Sequence, residues 1–240
     1  MYDNVNAKGL LHAIKPALSV SIMSADFLNL GKAIISLEES GVKLLHIDVM
    51  DGNFCPSLTI GPSVIKQLKT SMMLDVHLMI QEPLNTLDQY IDAGAGMITI
   101  QYESTMHSHK TLQTIKERNP NIIRGISLNP GTSYTVTEPL LDEVDMIVLL
   151  AVNPGWNGQK FIAATKSKYE SIKKLIKEKG KDILTVIDGG VTLENFEQIS
   201  ALKADIVVSG SAVFKGGDIN RNVQIMIDAL KKISTQTRNK

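Results

Sequence analysis

Short apolar runs and amphipathic stretches alternate along almost the whole chain, and this alternation limits the folds available to it. The predicted strands are Ala17–Met23, Leu44–Val49, Leu74–Leu78, Met97–Ile100, Ile123–Leu128, Met146–Ala151, Ile183–Ile187 and Ile206–Ser209. The predicted helices are Leu30–Glu39, Ser63–Leu68, Leu84–Ala93, Lys110–Arg118, Glu138–Leu141, Ala164–Lys179, Leu193–Leu202 and Asn222–Lys231. Strands that alternate with helices pair in parallel through right-handed crossovers. Eight such units in 240 residues predict an α/β fold whose parallel sheet closes on itself, the (β/α)8 or TIM barrel.

An open, doubly wound sheet is the alternative fold for the same alternation. The turn after the first predicted strand lacks the Gly-x-Gly-x-x-Gly fingerprint that such sheets use for dinucleotide phosphates, so the closed barrel is favoured. No linker rich in Pro, Gly or Ser interrupts the pattern. We therefore expect one domain over residues 1–240, with residues 1–15 and 234–240 at its periphery.

Charge and composition exclude several classes of partner. The chain has 25 basic and 25 acidic side chains, and a net charge of zero argues against a nucleic-acid partner. The longest internal apolar run, Met146–Val152, is far shorter than the roughly 18 residues of a membrane span. Asp3, Lys8 and Lys15 break the apolar core that a signal peptide would need. The single cysteine, Cys55, cannot form an internal disulfide, which fits a reducing compartment. We expect a cytoplasmic protein without a membrane partner.

Polar side chains interrupt the apolar pattern where three of the predicted strands end. His46 and Asp48 stand two residues apart on the second strand, so both point to the same face. His77 lies on the third strand, and Asp188 ends the seventh. In a barrel of this kind the chemistry sits at the carboxyl ends of the strands, where these four side chains would meet. Two imidazoles and two carboxylates predict a site for one divalent cation: zinc, iron, manganese or cobalt.

Glycine-rich turns follow the last three predicted strands. They are the loop Asn153–Gln159, the pair Gly189 and Gly190, and Gly210 with Ser211. Exposed backbone N–H groups at such turns bind phosphate without a cationic side chain. Loops after the seventh and eighth strands are the usual phosphate position in these barrels. The turns therefore favour a small phosphorylated substrate.

Seven segments together resemble the ribulose-phosphate 3-epimerase family, which are metal-dependent sugar-phosphate epimerases on a (β/α)8 barrel. The resemblance extends from about Ser19 to Phe214, and the pair HIDVMDG and DVHLM is its most specific part. The segments are Ser21–Phe27, His46–Gly52, Leu58–Gly61, Asp75–Met79, Val152–Gly155, Asp188–Val191 and Gly210–Ala212.

The resemblance implies a role for each of these positions. His46, Asp48, His77 and Asp188 would bind the metal, and Asp48 with Asp188 would also form the acid/base pair. The residues assigned to the substrate are Ser21, His77, Gly155, Trp156, Asn157, Gly158, Gly189, Gly190, Gly210 and Ser211, with Met50 and Met79 lining the pocket. Epimerisation beside a ketone removes a proton from carbon and returns one on the opposite face, so it needs two such groups. The implied reaction converts D-ribulose 5-phosphate to D-xylulose 5-phosphate through an enediolate. Family members often form dimers or larger assemblies, so we expect a homo-oligomer.

Five positions depart from the family pattern near the substrate. Val20 replaces the usual proline, Asn53 and Gln101 each replace a usual histidine, Asn157 replaces a glycine of the GFGG loop, and Leu150 replaces a methionine. None of the five is one of the predicted metal ligands. They bear on the identity of the sugar more than on the reaction, and allulose 6-phosphate is the alternative substrate.

Other functions on the same barrel compete with epimerisation. A Schiff-base aldolase needs a lysine at a strand end, and the interiors of the predicted strands contain none. A related decarboxylase pattern places a lysine two residues after the strand aspartate, where Met50 stands. A non-catalytic sugar-phosphate binding protein would not need two opposed carboxylates. These features favour the epimerase.

Overall fold

The computed structural model describes residues 7–238, with side chains described as far as residue 232. It confirms the closed parallel barrel: the eight strands are bonded in chain order and β8 pairs with β1. The strands are β1 (Ala17–Ser21), β2 (Leu44–Met50), β3 (Met73–Met79), β4 (Met97–Gln101), β5 (Ile123–Leu128), β6 (Met146–Leu150), β7 (Leu184–Asp188) and β8 (Ile206–Ser209). Each predicted strand corresponds to one of these, with ends that differ by two residues at most.

Helices and 3-10 turns surround the barrel. The α-helices are α1 (Ala7–Ile14), α2 (Leu30–Glu39), α3 (Pro62–Ile65), α4 (Leu87–Asp92), α5 (Ser108–Arg118), α6 (Thr165–Glu178), α7 (Phe196–Ser200), α8 (Ser211–Phe214) and α9 (Ile219–Arg238). The 3-10 segments are Ile22–Ser24, Phe27–Asn29, Pro83–Asn85, Tyr102–Ser104, Tyr134–Leu140 and Lys215–Gly217. Within residues 7–238, no helix combines the length and apolarity needed to cross a bilayer.

Side chains point alternately to the two sides of each strand, so the barrel has one core outside the sheet and another inside it. On β3, Leu74, Val76 and Leu78 belong to the large apolar core between the sheet and the helices. The residues between them point into the barrel, because successive side chains of a strand face opposite sides. The lower interior, at the amino ends of the strands, is apolar and includes Leu44, Met73, Met97, Ile123, Met146, Leu184 and Ile206. The upper interior, at the carboxyl ends, contains His46, Asp48, His77, Gln101 and Asp188.

Helix α1 lies within residues 1–15, where the sequence analysis placed no element. Its Ala7 and Leu11 are buried against the lower interior, with Leu10 and Ile14 packed beside them. Ala7, Leu11 and Ile14 have the i, i+4, i+7 spacing of an amphipathic helix, so the signal was present. The helix covers the lower end of the barrel.

Other elements also differ from the sequence prediction. Helix α8 was not expected, and α3, α4 and α7 are shorter than predicted. The short helix expected near Glu138–Leu141 is instead the 3-10 segment Tyr134–Leu140, which contains Pro139. Proline lacks the N–H that an α-helix interior requires. The last helix, expected to end at Lys231, continues to Arg238 and so includes part of the peripheral tail; the final two residues lie outside the described range.

Candidate active site

Four side chains from three strands converge in the upper interior. One ligand-type atom from each of His46, Asp48, His77 and Asp188 lies within 4.8 Å of all the others. His46 Nε2 is 3.3 Å from Asp48 Oδ1 and 3.7 Å from Asp188 Oδ2. His77 Nδ1 is 3.6 Å and 3.5 Å from the same two oxygens. The structure thus brings together the four residues that the sequence analysis selected.

The spacing of these atoms fits a divalent cation. Four ligands placed tetrahedrally at about 2.1 Å from a zinc ion are about 3.4 Å apart, close to the four distances above. His77 Nδ1 is buried and has no hydrogen-bond partner among the described residues. A buried ring nitrogen without a partner is costly unless it binds something. Both observations favour a metal at the centre of the cluster.

Neighbouring side chains orient two of the four residues. Asp75 Oδ2 is 2.7 Å from His46 Nδ1 and also accepts a hydrogen bond of 2.8 Å from the Ser19 hydroxyl. A carboxylate on the far nitrogen of a histidine fixes the tautomer that can bind a metal through the near one. The Ser21 hydroxyl donates to Asp48 Oδ2 at 2.6 Å, so the two oxygens of Asp48 have separate partners.

The charges in the cluster depend on one another. Burial alone would lower the pKa of His46, but the carboxylates of Asp75 and Asp48 outweigh it and raise that pKa well above its usual value. Burial would likewise lower the pKa of His77, but the nearby carboxylates of Asp188 and Asp48 outweigh it and raise that pKa. Burial would raise the pKa of Asp48, but the two histidines hold it far below its usual range. The two imidazoles and Asp48 therefore stabilise each other's charged forms.

A cavity opens above the cluster at the carboxyl ends of the strands. It has an empty volume of about 780 Å³, including the part open to solvent. The sequence-selected residues that line it are Ser21, Asp48, Met50, Met79, Gly155, Trp156, Asn157, Gly158, Asp188, Gly189, Gly190, Gly210 and Ser211. His77, also assigned to the substrate, has no exposed surface. Its position supports a role toward a metal rather than a direct contact with substrate.

The glycine pair after β7 lets two loops pack closely. Gly189 and Gly190 have positive φ angles of 98° and 67°. A Cβ on Gly190 would lie 2.5 Å from the backbone nitrogen of Phe161, and one on Gly189 would lie 2.4 Å from Val152. Any larger residue would therefore push this turn away from the loop that follows β6.

The loop after β2 is held by side chains that the sequence analysis did not single out. The Asp51 carboxylate accepts hydrogen bonds from the backbone N–H groups of Asn53, Phe54 and Gln81 at 2.8–2.9 Å. The Thr59 hydroxyl donates to the Asp48 carbonyl at 2.6 Å. Asp75 was overlooked in the same way, although it precedes His77 by two residues and so shares its face. This period-two spacing was the available signal.

Comparison with known proteins identifies the family. Residues 17–214 match the model of the ribulose-phosphate 3 epimerase family. A ribulose-phosphate 3-epimerase of Bacillus subtilis is 42% identical over 201 residues, which is 82% of this chain and 92% of that protein. The chain belongs to the ribulose-phosphate 3-epimerase family. The Escherichia coli K12 ribulose-phosphate 3-epimerase is 38% identical over 220 residues, covering 90% of this chain and 97% of that enzyme. The protein is therefore an enzyme of the carbohydrate epimerase class.

A solved structure of low sequence identity shares the fold. KGPDC from Streptococcus mutans superposes with a TM-score of 0.66 at 16% identity. The match covers 92% of this chain and 99% of that one. At this identity the likeness concerns the barrel alone.

Proposed function

We propose that this epimerase interconverts D-ribulose 5-phosphate and D-xylulose 5-phosphate with the help of one divalent cation. The observation that carries the proposal is the convergence of two imidazoles and two carboxylates on one point at the floor of the cavity. The choice of substrate is supported by the relatives, which are named for ribulose phosphate and cover most of the chain.

His46, Asp48, His77 and Asp188 would hold the cation, each through one atom. Two nitrogens and two carboxylate oxygens suit a borderline ion, so zinc, iron, manganese and cobalt are the candidates. When bound, the cation supplies Lewis acidity toward negative charge that develops on the substrate oxygens. The buried, unpartnered Nδ1 of His77 supports its place among the ligands.

Asp48 and Asp188 would carry the protons. They reach the cavity from β2 and β7, on separate parts of the barrel wall, which suits attack from the two faces of the substrate. One carboxylate takes the proton from carbon 3 while the other carboxyl group donates one to the opposite face, and the roles exchange in the reverse direction. The lowered pKa of Asp48 keeps it ionised, and the Ser21 hydroxyl fixes its second oxygen.

The walls of the cavity suit a phosphorylated sugar. The turns after β7 and β8 place Gly189, Gly190, Gly210 and Ser211 along one side of it, where backbone N–H groups would hold the phosphate. On another side, Met50 and Met79 form an apolar cluster with Cys55, against which Met23 and Phe54 pack. An apolar wall beside the carboxylates limits the access of water during proton transfer.

Solvent deuterium exchange tests the proton carriers. With D-ribulose 5-phosphate in D2O, the wild-type enzyme should incorporate deuterium at carbon 3 as it epimerises. Asp188→Asn should reduce turnover and exchange by about 10²–10⁴-fold, because the amide can neither accept nor donate this proton. The exposed Asp92 on α4 supplies a matched control, since Asp92→Asn should leave both rates unchanged. Exchange at the wild-type rate in Asp188→Asn would remove that residue from the mechanism.

A substrate panel tests the identity of the sugar. Asn157 and Trp156, which depart from the usual loop sequence, both line the cavity. We expect a higher kcat/KM for D-ribulose 5-phosphate than for allulose 6-phosphate, which is one carbon longer. The reverse order would assign the enzyme to the hexulose phosphate, and exchange with neither sugar would favour a binding protein.

The oligomeric state and the cellular location of the enzyme remain predictions. We propose a homo-oligomer, dimer or larger, in the cytoplasm. Light scattering on the purified protein at micromolar concentration measures the assembly, and a single monomer mass would contradict it.

A further inference from the structure

Gln101 is the last residue of β4 and contacts a histidine of the cluster, yet no role has been assigned to it. Neither Gln101 nor His77 has any exposed surface. The Gln101 side-chain nitrogen lies 3.0 Å from His77 Nε2. The other end of the amide, Oε1, is buried without a hydrogen-bond partner in the part of the chain that the structure describes.

The amide can meet His77 in two orientations, because its oxygen and nitrogen are nearly equal in size. If the NH2 group donates to Nε2, the neutral ring carries its proton on Nδ1, the atom that faces Asp48 and Asp188. If Oε1 instead accepts from Nε2–H, the lone pair of Nδ1 points into the cluster. Only the second arrangement leaves Nδ1 free to bind a cation.

The two orientations differ in which end of the amide is left without a partner. In the second, Oε1 accepts from the ring, and the NH2 group takes the position that Oε1 occupies in the first. To find a partner there, the NH2 group would have to move toward a hydroxyl of β5, since neither Oε1 nor that hydroxyl has a hydrogen-bond partner within the described range. Ser127 is the register partner of Gln101, and its buried Oγ has no hydrogen-bond partner among residues 7–238.

We propose that Gln101 is a positioning residue for the metal centre: its amide oxygen accepts the Nε2 proton of His77 and thereby holds the Nδ1 lone pair toward the cation. Asp75 does the same for His46 from the neighbouring strand, so each histidine has its own acceptor on its far nitrogen. This inference rests on the proposed metal centre. Gln101 itself contacts neither cation nor substrate.

Zinc affinity of the metal-free protein, measured by competition with a chelator, tests this role. Gln101→Met keeps the shape but cannot accept the proton, and it should weaken zinc binding by about 10–100-fold. Gln101→Glu keeps an acceptor and should bind zinc within a few-fold of wild type. A packing role would give the opposite order. Gln67→Met, in an exposed position after α3, is the matched control and should bind as wild type does.

Two outcomes overturn the proposal: Gln101→Met binding zinc as tightly as wild type, or Gln101→Glu being weakened as much as the methionine variant. Wild-type protein that binds no divalent cation would instead overturn the proposed metal centre, so the two failures are distinguishable. NMR of the zinc-loaded wild type does not depend on the folding of any variant. We expect a sharp Nε2–H resonance of His77 that is protected from solvent exchange, and a ring protonated on Nδ1 would contradict the role.

Discussion

The upper and lower halves of the barrel interior are built from the same eight strands but differ in polarity and in role. On β3 the inward positions change from Met73 to Asp75 and His77 within one short strand. The lower interior is an apolar cluster closed by α1, and Leu11 is 1% exposed there. The upper interior collects charges that are costly to bury unless they are paired or bind a metal. The lower half therefore stabilises the barrel, and the upper half contains the residues of the proposed reaction.

The contrast between the apolar lower half and the polar upper half explains how the barrel tolerates a buried cluster of charged side chains. Closely spaced carboxylates repel one another, and the imidazoles lose hydration on burial. The apolar lower half and the core between sheet and helices hold the backbone of β2, β3 and β7 in place. The four side chains therefore lie near a common point, which is the preorganisation that the proposed metal centre requires.

The largest expected effect concerns the lower half. Leu11→Ala should lower the free energy of unfolding by about 2–5 kcal/mol, because it leaves a cavity under the barrel. In folded protein kcat should be unchanged, since α1 lies at the opposite end from the cluster. Urea unfolding and a rate assay on the same sample measure both.

Leu28, which is 95% exposed in the 3-10 segment after β1, provides the matched control. Leu28→Ala should change the unfolding free energy by less than about 0.5 kcal/mol. If both alanine variants were equally stable, the assignment of stability to the lower half would be wrong.

A smaller effect is expected where the two halves meet. Asp75→Asn removes the charge that faces His46 Nδ1, and it should weaken metal binding by about 10–100-fold. Ser19→Ala removes only a hydrogen bond to Asp75 and should have a smaller effect. Chelator competition on the metal-free variants gives both values. Equal affinities for Asp75→Asn and wild type would show that His46 needs no carboxylate for its orientation.

A further effect is a pH dependence confined to the upper half. The pKa values of His46 and His77 are raised in the metal-free protein, so protons compete with a cation already above pH 6.5. Metal affinity should therefore fall as the pH decreases through the raised values, by about tenfold per pH unit for each proton displaced. Affinity measured between about pH 6 and 9 checks this, and a flat profile would contradict proton competition at the histidines.

The sequence predicted the barrel because its periodicity is local. The strands could be placed by their apolar runs, and His46, Asp48, His77 and Asp188 stood out because they broke those runs at strand ends. Elements whose position depends on tertiary contacts were harder to predict from the sequence. The short helix α1 has apolar residues at helical spacing, but its 8 residues include Lys8 and His12 and do not indicate which surface the helix covers until the lower end of the barrel is known.

The residues that support the cluster were harder to find. Asp75 lies inside a recognised motif, and its spacing from His77 indicates the face that the two share but not that Asp75 contacts His46. Gln101 was noticed only as a departure from a pattern. Neither contact can be deduced from spacing along the chain, because each joins side chains on adjacent strands.

By itself, the sequence determined the class of fold, the order of its strands and the four polar residues at their ends, since strand and helix periods are properties of neighbouring residues. The tertiary structure decided which atoms face one another: that Asp75 meets His46, that Gln101 meets His77, and that Ser21 holds Asp48. Those contacts depend on the closure and register of the barrel, which bring together residues far apart in the chain. No pattern among neighbouring residues specifies which distant residues will meet.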